Sequence, residues 1–289
     1  MNSITVRSPA KVNLCLSVLG KRPDGYHDVE MLMQMVDLCD EVTVSLAKTG
    51  LTVRCDSGAA LSGEKNIVWK AATELLRISG AHSGLSIEIK KNIPVAAGLG
   101  GGSGNAAAVL AAANRLLATG LNRGQLAEIG THIGMDVPFF LSGPTSLAQG
   151  RGEILTSLPA LPLFWVLLAN PGFGTSTAWV YQNLNLRLTK KVDCNKIARL
   201  TIRNIATALH NDLETVTKTA HPVVGTIEHA LLGQGALGAL MSGSGPTVFG
   251  IFETEAACRA ASQNLSREGW RLYPVGTLTE SPIAEHLTG

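Results

Sequence analysis

The stretch Pro94–Ala108, P-V-A-A-G-L-G-G-G-S-G-N-A-A-A, joins two halves that no single regular element accommodates. Each glycine costs a helix interior about 1 kcal/mol relative to alanine, so the first half reads as a loop. From Asn105 to Ala118 the chain is rich in alanine, leucine and valine with a single charge, Arg115, which is the composition of a mostly buried helix. Before the loop, Leu85–Lys90 alternates apolar and polar residues as a strand does. Strand, bare loop and helix start in that order bring unpaired N–H groups to the positive end of a helix dipole. Gly98, Gly100, Gly101 and Gly102 let that backbone approach a ligand closely. The combination binds phosphate. The bland alternative is a flexible turn in front of a core helix. Ser103-Gly104-Asn105 lacks the lysine of a Walker loop, and Ser103 stands in place of the third glycine of a dinucleotide fingerprint, so neither motif applies.

The length of 289 residues suits one large or two ordinary domains. Hydrophobic content of 45% with 16% charged residues is globular. A net charge of +2 with 4% aromatics supplies neither a basic stripe nor a stacking platform, so no nucleic-acid partner is expected. No apolar run approaches the roughly 20 residues of a bilayer span, and Met1–Arg7 does not resemble a secretory leader, which predicts a cytoplasmic protein without membrane contact. Cys15, Cys39, Cys55, Cys194 and Cys258 are far apart, contain no CxxC pair, and predict reduced, structural thiols with no metal site.

Three further places carry chemistry. Ile4–Arg7 and Lys11–Leu19 read as strands, and alternation sets Lys11 and Asn13 on one face, either as solvated edge decoration or as a functional pair. Gly20–His27 is a loop by its proline and glycines and ends in Tyr26-His27. An aromatic ring and an imidazole there suit a flat heterocycle, or else pack on the strand below. Gly134–Phe140, G-M-D-V-P-F-F, sets Asp136 in an apolar run, where a carboxylate needs a cation or donors to stay ionised; Lys11 is the candidate partner, and an Asx-type turn is the alternative.

Val29–Val36, Glu41–Leu46 and Leu51–Cys55 are predicted strands, with helices over Asn66–Ile78 and Gln125–Ile133. Pro159 and Pro162 mark a linker. A second half of helices over a sheet follows, with strands at Leu163–Ala169, Leu237–Met241, Thr247–Phe252 and Arg271–Val275, helices between Asn195 and Leu232, and another over Glu255–Arg267. Asn211-Asp212-Leu213-Glu214 reads as a helix start. Gly233, Gly235 and Gly238 spell GxGxxG but follow a helix and precede a strand, the reverse of dinucleotide binding, so they read as a helix-ending turn.

Three motifs in order, P-A-K-V-N-L near the N-terminus, P-V-A-A-G-L-G-G-G-S, and S-G-S-G-P-T-V-F near the C-terminus, resemble the GHMP kinase superfamily over nearly the whole chain. Ser8–Leu16, Arg22–His27 and Gly134–Phe140 are most similar to the branch whose substrate is methylerythritol linked to cytidine diphosphate. The resemblance implies an α+β, two-domain fold: an ATP-binding domain over 1–158, like domain 2 of ribosomal protein S5, and a ferredoxin-like substrate-binding domain over 159–289. It implies ATP-dependent phosphorylation of the 2-hydroxyl of the substrate's methylerythritol, with ATP and Mg²⁺ as cofactors. The small molecule is the expected partner, and the chain is expected to be a monomer or weak homodimer.

Residue by residue, the resemblance gives Asp136 as base and Lys11 as the charge that eases transfer. Pro94, Ala97, Gly98, Leu99, Gly100, Gly101, Gly102, Ser103, Gly104 and Asn105 would hold ATP, with Ser103 near Mg²⁺ and with Asn66 and Lys91 near adenine. Asn13, Tyr26, His27 and Asp136 would meet the substrate, the cytosine lying between Tyr26 and Tyr181. Thr175, Thr177, Gly243, Ser244 and Gly245 complete the cleft. Ala96, Ala97, Gly104 and Met135 depart from the residues usual at those positions. A related kinase acting on mevalonate, homoserine or a sugar, or a nucleotide-binding regulator without catalysis, are the alternatives.

Overall fold

The computed structural model describes residues 2–58, 61–189, 192–197 and 201–287. The first half is built on two long strands, β1 (Ser3–Lys21) and β2 (His27–Ala47), where the sequence suggests several shorter ones. Each continues through irregularities because the antiparallel ladder shifts register between Pro9 and Ala10, between Asn13 and Cys15 and between Val18 and Gly20. Such bulges absorb a proline that has no N–H to donate.

Strands β3 (Leu51–Cys55) and β4 (Gly84–Lys90) extend the sheet on the far end of β2. On its near end β2 pairs with β5 (Thr145–Gly150), which pairs in turn with β6 (Ile154–Ser157). Neither β5 nor β6 is visible in the sequence, since T-S-L-A-Q-G has neither clean alternation nor a β-branched run.

Helix α1 (Ile67–Ser79) starts where Asn66 Oδ1 accepts from the Val68 amide at 3.1 Å and ends at Gly80 in the left-handed region, φ 61°. Helix α2 spans Gly101–Leu116, beginning four residues before the composition suggests. Gly101 and Gly102 therefore form its first turn. Propensity alone excludes them, and tertiary packing overrides it: a Cβ at Gly101 would fall 2.9 Å from Lys91 Nζ. Helices α3 (Arg123–Ile133) and α4 (Val137–Ser142) follow, with Asp136 immediately before α4.

The second sheet has the antiparallel order β11-β7-β10-β9, from β7 (Trp165–Asn170), β9 (Gly238–Met241), β10 (Val248–Phe252) and β11 (Arg271–Gly276). Its chain order with the intervening helices is the β-α-β-β-α-β ferredoxin-like pattern. Helices α5 (Thr177–Gln182), α6 (Cys194–Ile197), α7 (Ile202–Thr207), α8 (Glu214–Ala220) and α9 (Val223–Gly233) lie between β7 and β9, and α10 (Glu255–Asn264) precedes β11. The predicted helical region from Asn195 to Leu232 crosses residues 198–200, which are outside the described residues. Alternation along β7 divides the core. Leu167 and Ala169 join the cluster that includes α9 and α10, while Val166 and Leu168 join Val12, Leu14 and Leu32 between the two halves. The α9 end at Gly233 and the β9 start at Gly238 leave the GxGxxG letters as a turn.

Two sequence readings need correction. The short strand β8 (His210–Asn211) pairs parallel with β1, so Asn211 belongs to a strand and α8 starts only at Glu214. Cys15 and Cys194 form a disulfide with Cα atoms 5.6 Å apart, contrary to the reduced thiols expected for all five cysteines. The fold lays α6 against β1 and β2, a proximity that cysteine spacing does not encode. Cys39, Cys55 and Cys258 are free.

Candidate active site

A cleft of about 880 Å³ runs between the loop before α2, the β1–β2 turn, α5 and the Ser242–Ser244 turn. The pattern of β1 makes one wall. Val12 and Leu14 are fully buried between the halves, which turns Lys11 and Asn13 to the opposite face and into the cleft, with Lys11 5% exposed and Asn13 fully buried. The solvated-edge reading of this pair therefore fails. Lys11 Nζ donates to Asn13 Oδ1 at 2.6 Å and stands 3.8 Å from Asp136 Oδ2. Burial lowers the Lys11 pKa, and the Asp136 carboxylate opposes that shift.

Asp136 is more open, its side chain 30% exposed, and it makes no capping hydrogen bond to α4. The Asx-turn alternative loses its support. Behind it Val137, Pro138, Phe139 and Phe140 are buried, which explains the apolar run: the carboxylate sits at the head of a core helix. Phe140 and the Lys11 stem also close on Gly100, where a Cβ would fall 2.9 Å from Phe140 Cζ and 3.1 Å from Lys11 Cγ.

The glycine loop forms the second wall. Gly98 and Gly100 take φ of 76° and 69°, which L side chains rarely adopt. A Cβ at Gly98 would fall 2.0 Å from the Ser242 carbonyl oxygen. Ser242 Oγ donates to the Gly98 carbonyl at 3.0 Å, which locks this loop to the third motif. Pro94, Ala97, Leu99, Gly101, Gly102, Ser103 and Asn105 line the cleft with Asn66 and Lys91. Gly104 does not: a Cβ there would meet Ser8 Oγ at 2.8 Å and the Pro9 carbonyl at 2.9 Å, so it is a packing glycine behind the wall. Gly245 is likewise outside the lining, closed against Met241 and Thr217.

At the other end His27 stacks on Tyr181, centroids 5.1 Å apart and planes 28° from parallel. Tyr26 is 53% exposed and carries the Arg151 guanidinium 5.2 Å over its ring. Burial, and then the Asp136 charge, raise the Tyr181 phenol pKa. Burial lowers that of His27, with Lys21 adding to the shift. Thr177 and Ser244 hydroxyls pair at 2.9 Å, and the buried Thr175 hydroxyl has no hydrogen-bond partner among the described residues. Gly243 completes this side, a Cβ there lying 3.4 Å from Lys11 Nζ.

Two residues in this arrangement have no sequence signal. Arg151 follows β5, a strand the sequence hides, yet it lines the cleft beside Tyr26. Asn211 Nδ2 donates to the carbonyls of Met241 and Gly243, each at 2.8 Å, and so fixes the turn that faces Lys11. Its polar partners are backbone atoms some thirty residues on, which letters alone do not reveal.

Residues 66–144 match the family GHMP kinases N terminal domain, and residues 195–271 match GHMP kinases C terminal. A 4-diphosphocytidyl-2-C-methyl-D-erythritol kinase of Geobacter metallireducens is 49% identical over 96% of this chain and 100% of its own length. One of Pelobacter propionicus is 49% identical over 93% of this chain and 97% of its own. A crystal structure of a 4-(cytidine 5'-diphospho)-2C-methyl-D-erythritol kinase superposes with a TM-score of 0.84 at 32% identity, covering 95% of this chain and 99% of that one. Homoserine kinase from Cytophaga hutchinsonii shares the fold, with a TM-score of 0.73 at 21% identity over 97% of this chain and 96% of its own. By these matches the chain belongs to the GHMP kinases and, among them, to the 4-diphosphocytidyl-2-C-methyl-D-erythritol kinases, which are small-molecule phosphotransferases.

Proposed function

We propose that the chain transfers the γ-phosphoryl group of ATP to the 2-hydroxyl of 4-diphosphocytidyl-2-C-methyl-D-erythritol, giving the 2-phosphate and ADP, a step of the non-mevalonate route to isoprenoids. One observation carries the reading. A buried amine and a partly open carboxylate converge at 3.8 Å beside a glycine loop and helix start suited to phosphate, with paired aromatic rings at the other end of the same cleft.

Asp136 accepts the proton of the attacking hydroxyl, and Lys11 neutralises charge that develops on the transferring group. Phosphoryl transfer passes through a loose transition state, so positioning and charge neutralisation supply most of the acceleration, and a base adds about 10²- to 10⁴-fold. Asn13 orients the Lys11 amine through their 2.6 Å hydrogen bond. Amides of Gly98, Gly100, Gly101 and Gly102 cradle the triphosphate, with Asn66 and Lys91 toward the nucleoside. Gly104 and Gly245 shape their turns from behind and do not touch ligand. Mg²⁺ on a nucleotide takes most of its ligands from phosphate and water, and the Ser103 hydroxyl on the first turn of α2 fits as a protein ligand. When bound, the ion neutralises phosphate charge.

Tyr26, His27, Tyr181 and Arg151 hold the cytidine diphosphate arm, with Thr175, Thr177, Gly243 and Ser244 enclosing the substrate. In this reading residues 1–158 carry the nucleotide loop, and residues 159–289 close the cleft. The test compares ADP release with the cytidine substrate, its uridine analogue, mevalonate and homoserine. Turnover on the cytidine compound alone supports the reading; equal turnover on mevalonate or homoserine overturns it.

A further inference from the structure

The loop before α2 depends on a charge that lies outside the cleft. Asp40, on β2, is fully buried, and its two oxygens take four donors from two other segments. Lys91 Nζ and Asn105 Nδ2 donate to Oδ2 at 2.5 and 3.0 Å, and the amides of Asn92 and Ile93 donate to Oδ1, each at 2.8 Å. Lys91 and Asn105 line the cleft, and Asp40 does not. Asn92 and Ile93 lead directly into Pro94–Gly100, so the carboxylate holds the root of the loop on one side and α2 on the other.

The electrostatics make this more than a brace. The Lys91 amine lies under the first turn of α2, as its 2.9 Å approach to a Cβ built on Gly101 records. A cation there adds to the positive end of the helix dipole, an unfavourable placement unless an anion neutralises it. A buried carboxylate beside a triphosphate is just as unfavourable unless a cation stands between. Asp40 and Lys91 resolve each other's problem. The bond from Asn105 Nδ2 also fixes its amide so that Oδ1 is the atom left without a partner among the described residues.

We propose that Asp40 is a positioning residue for nucleotide binding, which sets Lys91, Asn105 and the Asn92–Ile93 amides in place and whose charge Lys91 screens from the bound nucleotide. This rests on the nucleotide-binding reading of the cleft. The test is titration of the full chain with ATP for wild type, Asp40→Asn, Lys91→Met and the double variant, with melting curves and the KM of the cytidine substrate alongside. Asp40→Asn is expected to weaken ATP binding about tenfold or more while the cytidine substrate KM moves less than about twofold. Lys91→Met leaves the carboxylate buried without its cation and also weakens ATP binding. The double variant removes both charges and is expected to bind ATP at least about threefold more tightly than Lys91→Met alone, a recovery that a brace or an independent lysine contact does not give. ATP affinity within about twofold of wild type for Asp40→Asn overturns the proposal, as does a double variant no tighter than Lys91→Met. If Asp40→Asn does not fold, the comparison of Lys91→Met with the double variant decides. Wild type that binds no ATP instead removes the nucleotide reading on which the proposal rests.

Discussion

Lys11 Nζ stands 3.8 Å from Asp136 Oδ2, yet its shorter contact, 2.6 Å, is to Asn13 Oδ1 on the same strand face. The neutral amide holds the amine, and the carboxylate keeps room for a hydroxyl to reach it. This division suits the proposed roles, orientation for Asn13 and proton transfer for Asp136.

The buried amine makes a pH prediction. Lys11 titrates below its ordinary 10.5 because burial disfavours the charged form. Its charge is present below that lowered pKa and is lost as pH rises through it, so kcat/KM falls along a basic limb that lies below 10.5. A pH–rate profile flat up to 10.5 contradicts a catalytic charge on Lys11.

Gly98 tests how the halves are joined. Alanine there is strained at φ 76° and meets the Ser242 carbonyl oxygen at 2.0 Å, so Gly98→Ala is expected to cost about 1–3 kcal/mol of stability and to lower kcat by displacing the Ser242–Ser244 turn. Gly225, inside α9, has no neighbour among the described residues within 4 Å of where a Cβ would stand, and Gly225→Ala is expected to stabilise by about 0.5–1 kcal/mol. Thermal melts of the two variants check the opposite signs.

The ring pair makes a substrate-specific prediction. Tyr181→Phe keeps the face that stacks on His27, and Tyr181→Leu removes it. The leucine variant is expected to raise the cytidine substrate KM about tenfold, in line with the loss of one stacked ring at about 1–3 kcal/mol, with the ATP KM unchanged. Phenylalanine should stay within about threefold of wild type. Equal KM values for both variants would show that the ring does not bear on the substrate.

Arg151 lies over Tyr26 and also pairs with Glu153 at 3.2 Å. Arg151→Ala is expected to raise the cytidine substrate KM several-fold, and the increase should shrink for a substrate fragment without the diphosphate. Steady-state kinetics with the two compounds distinguish this from a general loss of folding.

The legible parts of the site are those where a local rule met an exception. Asp136 identifies itself as a carboxylate in an apolar run, although it proves partly open, Lys11 beside Asn13 by the cost of burying charge, and Gly98 and Gly100 by letting the backbone approach closely. The sequence stays silent where partners are backbone atoms or lie far along the chain. Asn211 acts on the carbonyls of Met241 and Gly243, Asp40 on two backbone amides, a side-chain amide and an amine, and the Cys15–Cys194 bond spans 179 residues. Helix α2 begins inside the glycines because Lys91 and Ile93 pack where side chains would stand, a tertiary reason that propensity cannot see. Strands β5 and β6 are hidden for the same cause: β5 is ordered by pairing with β2 and β6 by pairing with β5, not by their own letters.

The most direct measurement of the central claim is single-turnover phosphoryl transfer by Asp136→Asn with saturating ATP and cytidine substrate. The proposed role of Asp136 as base predicts that the rate falls by at least about 10²-fold while ATP affinity stays within about twofold of wild type. A transfer rate within a few-fold of wild type contradicts the account.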